Sequence, residues 1–161
     1  DLSTQVGTFA LVPQVVDAVR VPVIAAGAIS DARGVAAAFM LGASAVQVGT
    51  AYLFTPQAKV SASHHNALRT AKESETAITN IFTGRPARGI VNRAMRELGP
   101  MSAQAPAFPL AGGALMPLRV IDDADFANLW AGQALTLGKD IGSAELTRQL
   151  AEGALARLIP R

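Results

Sequence analysis

Cysteine is absent from the sequence, and aromatic residues make up only 5% of it. Without a thiol, the chain has no disulfide, no thiolate nucleophile and no cysteine-ligated metal site. Charged residues contribute 16% and hydrophobic residues 50%, which is the composition of an ordinary soluble globular domain and not of a disordered chain. The 161 residues are therefore enough for one modest hydrophobic core.

Long hydrophobic runs are also missing. No apolar run reaches the roughly 18 residues of a membrane-spanning helix, and the segment from Asp1 to Gln5 lacks the basic start and apolar middle of a signal peptide. We therefore expect a cytoplasmic protein with no membrane partner. The chain begins without Met at a polar segment just before a helix, which indicates processing or an incomplete sequence.

The chain has little excess of charge of either sign. Its formal net charge is only +2, and its Lys and Arg residues are scattered along the sequence. Nucleic-acid-binding surfaces instead gather basic residues and interleave them with aromatic ones. We therefore expect no nucleic-acid partner.

The first part of the chain alternates between helical and extended patterns. Apolar residues recur at helical spacing from Leu11 to Val19, which predicts an amphipathic helix. The run Val21 to Ala26 is rich in β-branched residues and ends at Gly27, as expected for a strand buried on both faces. Pro22 is tolerated at the start of such a strand, where the hydrogen-bond ladder has barely begun.

A second helix and strand follow. Ser30 or Asp31 can cap a helix whose apolar face ends before Gly42, a residue type common where helices stop. The expected buried face comprises Val35, Ala36, Ala38, Phe39 and Leu41. The run Ala45 to Val48 forms the second strand and ends at Gly49. The two strands are separated by one helix, so we expect them to be parallel and adjacent, with a right-handed crossover.

Beyond Thr50 this alternation stops. The remaining patterns predict a helix at 67–72, an extended segment at 76–83, a turn-rich basic segment at 84–89, a covering loop at 99–117, and helices at 125–137 and 144–158. The last helix places Leu146, Leu150, Leu155 and Leu158 near helical spacing. Two parallel strands cannot close an eight-stranded barrel, which needs roughly 250 residues. Any such barrel needs strands from outside these 161 residues.

Both predicted strands end in small residues. Ala25-Ala26-Gly27-Ala28 closes the first strand, and Gly49-Thr50-Ala51 follows the second. Parallel α/β proteins bind ligands at the carboxyl ends of their strands, and barrels often bind phosphate there with backbone N–H groups. The alternative is that these glycines only end strands, as in any α/β protein. The residues themselves leave both interpretations open.

Several motifs resemble the nitronate monooxygenase family, formerly called 2-nitropropane dioxygenases. They are Val-Pro-Val-Ile-Ala-Ala-Gly at 21–27, Asp-Ala-Arg-Gly at 31–34, Gly-Ala-Ser-Ala-Val-Gln-Val-Gly-Thr at 42–50, Phe-Thr-Gly-Arg-Pro-Ala-Arg-Gly at 82–89 and Trp-Ala-Gly-Gln at 130–133. The resemblance therefore covers nearly the whole chain. The related flavin-dependent enoyl-acyl-carrier-protein reductases share the pattern at 21–50.

The resemblance implies a (β/α)8 barrel that binds FMN and oxidises alkyl nitronates with dioxygen. The flavin phosphate is held by the loops after the last two strands, which correspond here to Gly27, Ala28, Gln47, Val48, Gly49 and Thr50. The family's catalytic base is a histidine in a Gly-Gly-His segment of an earlier strand. This chain contains no such segment, so we predict neither a catalytic residue nor a metal site within it.

Two positions depart from the family pattern. The family usually has Gly-Gly and Asp-Gly-Arg-Gly where this chain has Gly27-Ala28 and Asp31-Ala32-Arg33-Gly34. A methyl group at position 28 could crowd the phosphate, or cost about 1–2 kcal/mol if the backbone there is left-handed. It would be harmless in an extended backbone that contacts phosphate only through its N–H.

Other polar and aromatic residues have simpler interpretations. His64 and His65 are adjacent on a predicted helix, so their side chains point about 100° apart and do not converge on one metal ion. We interpret both as surface or packing residues. Arg85 and Arg88 could meet an anion or simply be solvated. We interpret Trp130 as an anchor of the last helices and not as a contact of the flavin. The role of Gln133 is left open.

The resemblance also suggests how the chain is organised. We expect residues 1–75 to be the last βα units of the barrel, and residues 76–161 to add an extended segment, a loop and helices that pack on it. One alternative is an FMN-dependent reductase of the same barrel type that uses NAD(P)H. Another is a non-catalytic remnant or assembly module that self-associates through its exposed barrel edge.

Overall fold

The computed structural model describes residues 2–121 and 123–159. They form two compact units, one containing the described residues up to Ala58 and from Leu137 onward, and the other containing Lys59–Thr136. None of the helices in these ranges is long and apolar enough to cross a membrane. The elements in chain order are α1 (Thr8–Ala18), β1 (Ile24–Ala26), α2 (Ala32–Met40), β2 (Ala45–Gln47), α3 (Thr50–Leu53), α4 (Ala62–Thr70), β3 (Thr76–Thr79), β4 (Ala87–Ile90), α5 (Arg93–Leu98), α6 (Ala111–Ile121), α7 (Asp123–Phe126) and α8 (Ser143–Leu158), with short 3-10 helices at Leu2–Thr4, Glu73–Glu75 and Leu135–Leu137.

The first unit contains the predicted parallel strand pair. β1 and β2 are hydrogen-bonded in parallel, with Ile24 opposite Ala45 and Ala26 opposite Gln47. The expected adjacency and direction are therefore confirmed. Both strands are shorter than predicted, since β1 begins at Ile24 and β2 ends at Gln47.

The expectation that these strands are buried on both faces is wrong. Ala25 is buried in a cluster with Val12 of α1 and Val35 of α2. Ile24, whose side chain points to the other face, is 62% exposed. Successive residues of a strand face opposite sides, and in the described residues the helices cover only one of them.

The helix α2 begins and ends where the sequence indicates. The Asp31 carboxylate accepts hydrogen bonds from the backbone N–H groups of Arg33 (2.9 Å) and Gly34 (3.2 Å), so Asp31 is the N-cap. Gly42 follows the helix with a φ of 93°, and a Cβ there would lie 2.8 Å from Val16 Cγ1. Phe39, expected on the buried face, is instead 39% exposed.

The Asp31 cap should make stability depend on pH. Burial tends to raise the pKa of this carboxyl, but hydrogen bonds from the Arg33 side chain and from the Gly34 and Arg33 backbone lower it overall. A depressed pKa stabilises the fold above the unfolded-state value of about 3.9, and this contribution disappears as the pH falls through the folded-state pKa.

We expect Asp31→Asn, which keeps a capping oxygen but removes the charge, to lower the free energy of unfolding at pH 7 by less than about 1 kcal/mol. In urea unfolding the difference from the wild type should vanish at acidic pH. Asp31→Ala also removes the cap and should cost about 1 kcal/mol more at neutral pH. A difference between Asp31→Asn and the wild type that persists in acid would contradict this account.

The last helix packs on α2 in the same unit. The segment predicted as 144–158 is helical as α8, and its residues Leu146, Leu150 and Ala154 are buried in the core that contains Val35 and Ala36 of α2. The helical prediction is confirmed. Leu155, expected on the buried face, is 55% exposed.

The second unit contains a strand pair that the sequence patterns did not predict. β3 and β4 are antiparallel, with Thr76 opposite Ile90 and Thr79 opposite Ala87. The segment predicted to be extended as far as residue 83 leaves the strand after Thr79. The segment interpreted as a turn up to residue 89 is a strand from Ala87 onward. Its strand character comes from pairing with β3, which no local pattern reveals.

Three further predictions in this unit are wrong in part. The helix expected at 67–72 is α4, which starts at Ala62 and ends at Thr70. The loop expected at 99–117 contains most of α6, which begins at Ala111. The helix expected at 125–137 is replaced after Phe126 by an extended stretch, in which the Leu129 carbonyl accepts a hydrogen bond from the Ile90 N–H.

Candidate functional site

The six residues predicted to bind a ligand lie at one edge of the parallel pair. Gly27 and Ala28 directly follow β1, while Gln47 ends β2 and leads through Val48 and Gly49 to Thr50, the first residue of α3. Neighbouring strands are about 4.8 Å apart, so parallel pairing brings the two loops side by side. We call these six residues, Gly27, Ala28, Gln47, Val48, Gly49 and Thr50, the strand-end edge.

The backbone at Gly49 faces open space. A Cβ built at this position would meet no atom within 4 Å, and Gly49 is exposed. Its φ of −107° and ψ of −76° do not require glycine. A ligand can therefore approach the main chain here, and a side chain introduced at position 49 would occupy that space without straining the backbone.

Ala28 has a left-handed backbone, with a φ of 56°. Among the described residues it is the only non-glycine with a positive φ, and it follows Gly27 at a φ of 96°. Of the alternatives that the sequence left open, the structure selects the strained one, which costs about 1–2 kcal/mol. Strain of this kind is often kept where a loop is shaped for a ligand.

Ala28→Gly should therefore stabilise the protein. Glycine adopts this conformation without the Cβ clash but loses more conformational entropy on folding, so we expect a net gain of about 0.5–1 kcal/mol. Urea unfolding would measure it. Ala37→Gly, inside α2, is the matched control and should destabilise by a similar amount. An Ala28→Gly variant no more stable than the wild type would refute the strain.

Thr8 is a neighbour of the strand-end edge that the sequence patterns missed. Its hydroxyl oxygen lies 3.4 Å from the Ala26 carbonyl oxygen. A Cβ on Gly27 would lie 3.1 Å from the same Thr8 hydroxyl oxygen. Thr8 opens α1, which begins three residues before the apolar run that predicted the helix. The signal that could have found it is the Gly7-Thr8 pair just before that run, a typical helix start.

The strand-end edge carries no formal charge, since its six residues are Gly, Ala, Gln, Val, Gly and Thr. An anion there would be held by backbone N–H groups and a hydroxyl, without a Lys or Arg side chain of the edge itself. Small residues and N–H donors at strand ends are the usual means by which parallel α/β proteins bind phosphate.

The two histidines of the second unit have different surroundings. His64 is only 9% exposed, and its Nε2 lies 3.0 Å from the carbonyl oxygen of Trp130. His65, the next residue on α4, is half-buried. The contact of His64 is that of a residue that packs a helix against its neighbour.

The aromatic and basic candidates are also held by local contacts. The Trp130 ring meets the Phe82 ring edge-on at 5.7 Å, whereas Gln133 is exposed. Arg88 Nη1 donates to the carbonyl oxygen and the hydroxyl of Thr76, at 3.1 Å each. Trp130 and Arg88 therefore make contacts that hold the second unit together. The Arg85 guanidinium lies 4.5 Å from the centre of the Phe108 ring.

Comparison with known protein sequences gives a consistent result. A family described as nitronate monooxygenase matches residues 1–153. A probable nitronate monooxygenase of Staphylococcus saprophyticus is 38% identical over 137 residues, which is 83% of this chain and 39% of that protein. One from Staphylococcus aureus (strain JH9) is 41% identical over 133 residues, or 80% of this chain and 38% of that protein. The chain thus spans about two fifths of the length of these relatives.

Solved structures show the same relationship. The nitroalkane oxidase of Streptomyces ansochromogenes superimposes with a TM-score of 0.85 at 37% identity, covering 95% of this chain and 44% of that one. FabK of Thermotoga maritima superimposes with a TM-score of 0.79 at 29% identity, covering 96% of this chain and 50% of that one. In both cases the match takes in nearly all of this chain and half or less of the known structure.

Proposed function

The chain belongs to the nitronate monooxygenase family, and from this membership we propose that it forms the C-terminal part of a flavin-dependent (β/α)8-barrel enzyme that oxidises alkyl nitronates with dioxygen. In this proposal residues 1–75 are the last βα units of the barrel, and residues 76–161 are the extended segment, loop and helices that follow them. Support comes from the parallel pair β1–β2, from the exposed face of β1 and from relatives more than twice as long. The further strands come from outside the 161 residues.

FMN is the cofactor of this proposal, and the strand-end edge holds its phosphate. The residues present fit a phosphate, because the backbone at Gly49 is open and the Gly27–Ala28 turn is exposed. When bound, FMN supplies the redox chemistry. The task of this chain is to bind the phosphate through N–H groups and the Thr50 hydroxyl, and so to fix the position of the flavin.

The proposal rests on two loops that are apart in the sequence but side by side in the structure. Gly27-Ala28 and Gly49-Thr50 are separated by a helix in the chain, yet they follow adjacent parallel strands at the same edge. The family's catalytic histidine segment lies outside these residues. We therefore assign the proton-transfer step to the rest of the barrel and only cofactor positioning to this chain.

A chimera tests the proposed reaction. In it, this chain replaces the matching part of the Streptomyces nitroalkane oxidase; we refer to it as the chimera. Under anaerobic conditions, propyl nitronate should bleach its flavin absorbance in stopped-flow mixing, whereas NADH and NADPH should not. The parent oxidase and free FMN are the controls. Bleaching by NAD(P)H and not by nitronate would favour the reductase alternative.

A further inference from the structure

A cavity of about 410 Å³ lies in the first unit between the start of α2 and the length of α8. We call it the α2–α8 cavity; its lining includes Ser30, Lys139, Leu146, Leu150, Glu152 and Arg157. Its size falls within the range of small-molecule sites. None of the six strand-end residues lines it, so a ligand there would be distinct from the flavin.

Ser30 indicates that this cavity can bind a ligand. The residue is only 4% exposed, and its hydroxyl forms no hydrogen bond with another residue in the described ranges 2–121 and 123–159. Every side-chain polar atom that is fully buried in those ranges does have a partner. The Ser30 hydroxyl is therefore not fully buried, and because Ser30 lines the cavity, it can donate a hydrogen bond to a molecule bound there.

The cavity also holds two cations with unused donors. Lys139 Nζ donates to Gln149 Oε1 at 3.2 Å, and Arg157 Nη1 donates to the Gly153 carbonyl oxygen at 2.6 Å. Both acceptors are uncharged, and neither cation forms an ion pair in the part of the chain that the structure describes. Lys has three N–H donors and Arg five, so both can still bind an anion.

The remaining lining restricts the kind of anion. Arg33 also lines the cavity, but its Nε already donates a hydrogen bond to the Asp31 carboxylate at 2.7 Å. The carboxylate of Glu152 disfavours a second negative charge in the ligand. Leu146 and Leu150 belong to the buried core and give the cavity an apolar base, which suits a hydrocarbon chain.

We propose that the α2–α8 cavity binds a carboxylic acid with a short hydrocarbon chain. Lys139 and Arg157 bind its carboxylate together with the Ser30 hydroxyl, and Leu146 and Leu150 contact its chain. The single negative charge of the ligand matches two cations next to one free carboxylate.

The test is an NMR titration of the ¹⁵N-labelled protein with butyrate, n-butanol and inorganic phosphate as probes. We expect saturable shifts at Ser30 and Gln149 with butyrate, and much weaker binding of the other two probes. Butanol lacks the charge, and phosphate lacks the hydrocarbon chain and carries more negative charge. Butanol binding as tightly as butyrate would overturn the proposal, and so would phosphate binding at least as tightly.

Three variants distinguish binding at a specific site from a general effect of surface charge. Lys139→Gln should weaken butyrate binding about tenfold, because one charge-assisted hydrogen bond is lost. Glu152→Gln should tighten it about threefold by removing the repulsion. Arg148→Gln is the matched control on α8, since Arg148 pairs with Glu145 outside the cavity. Equal effects of Lys139→Gln and Arg148→Gln, or weaker binding in Glu152→Gln, would contradict the proposal.

Discussion

Gly49→Val is expected to remove most of the bound FMN from the chimera. The valine side chain would occupy the open space beside the main chain at position 49, where we place the flavin phosphate. Loss of two or more hydrogen bonds to a charged group should raise the dissociation constant of FMN by at least about a hundredfold. Flavin absorbance of the purified protein, relative to protein absorbance, measures the effect.

The structure offers a control for this variant. Gly113 in α6 also faces open space, with no atom within 4 Å of a Cβ, but it is not part of the strand-end edge. Gly113→Val carries the same change of residue and should leave the flavin content unchanged. Circular dichroism would verify that both variants are folded. A folded Gly49→Val protein with undiminished flavin would place the phosphate elsewhere.

Residues 1–161 alone are expected to show no nitronate oxidation. Oxidation needs a base within hydrogen-bond reach of the substrate and a site closed to water, and in our proposal both come from the rest of the barrel. The assay is oxygen uptake with propyl nitronate, comparing the chain, the chimera and free FMN. The chain should match the free-FMN background, and the chimera should exceed it clearly.

The isolated chain should also be marginally stable or self-associated. Ile24 in β1 is 62% exposed and Val21, just before β1, is 68% exposed, and uncovered apolar residues of this kind favour association. Sedimentation velocity would measure it. Turnover by the chain well above the free-FMN background would show that a catalytic group lies within it. His64 and His65 would then be the first residues to replace.

The sequence predicted those parts of the fold that depend on local chemistry. The cap predicted at Ser30 or Asp31, the helix end at Gly42 and the apolar periodicity of α8 each follow from neighbours within a few residues. One helix between two β-branched runs was enough to predict the parallel pairing of β1 with β2. The phosphate-binding role of the six strand-end residues was predicted from the same runs and from the family motifs, and it stays a prediction.

The errors occur where partners distant in the chain determine the structure. Ala87 to Gly89 are in a strand only because β3 pairs with them, and their Gly- and Arg-rich sequence favours a turn. The helix expected after residue 125 gives way to an extended stretch bonded to β4, where the Ala131 N–H donates to the Arg88 carbonyl oxygen at 3.3 Å. The conformation of Ala28 was equally inaccessible, because alanine itself does not favour a positive φ.

The most direct test of our central claim compares FMN with riboflavin, which lacks the phosphate. Equilibrium binding of both to the chimera and to its Gly49→Val variant measures how much affinity the phosphate gains at the strand-end edge. We expect the chimera to prefer FMN by at least about a hundredfold and the variant to bind both flavins almost equally. A preference for FMN that survives Gly49→Val unchanged would contradict the claim that this edge holds the phosphate.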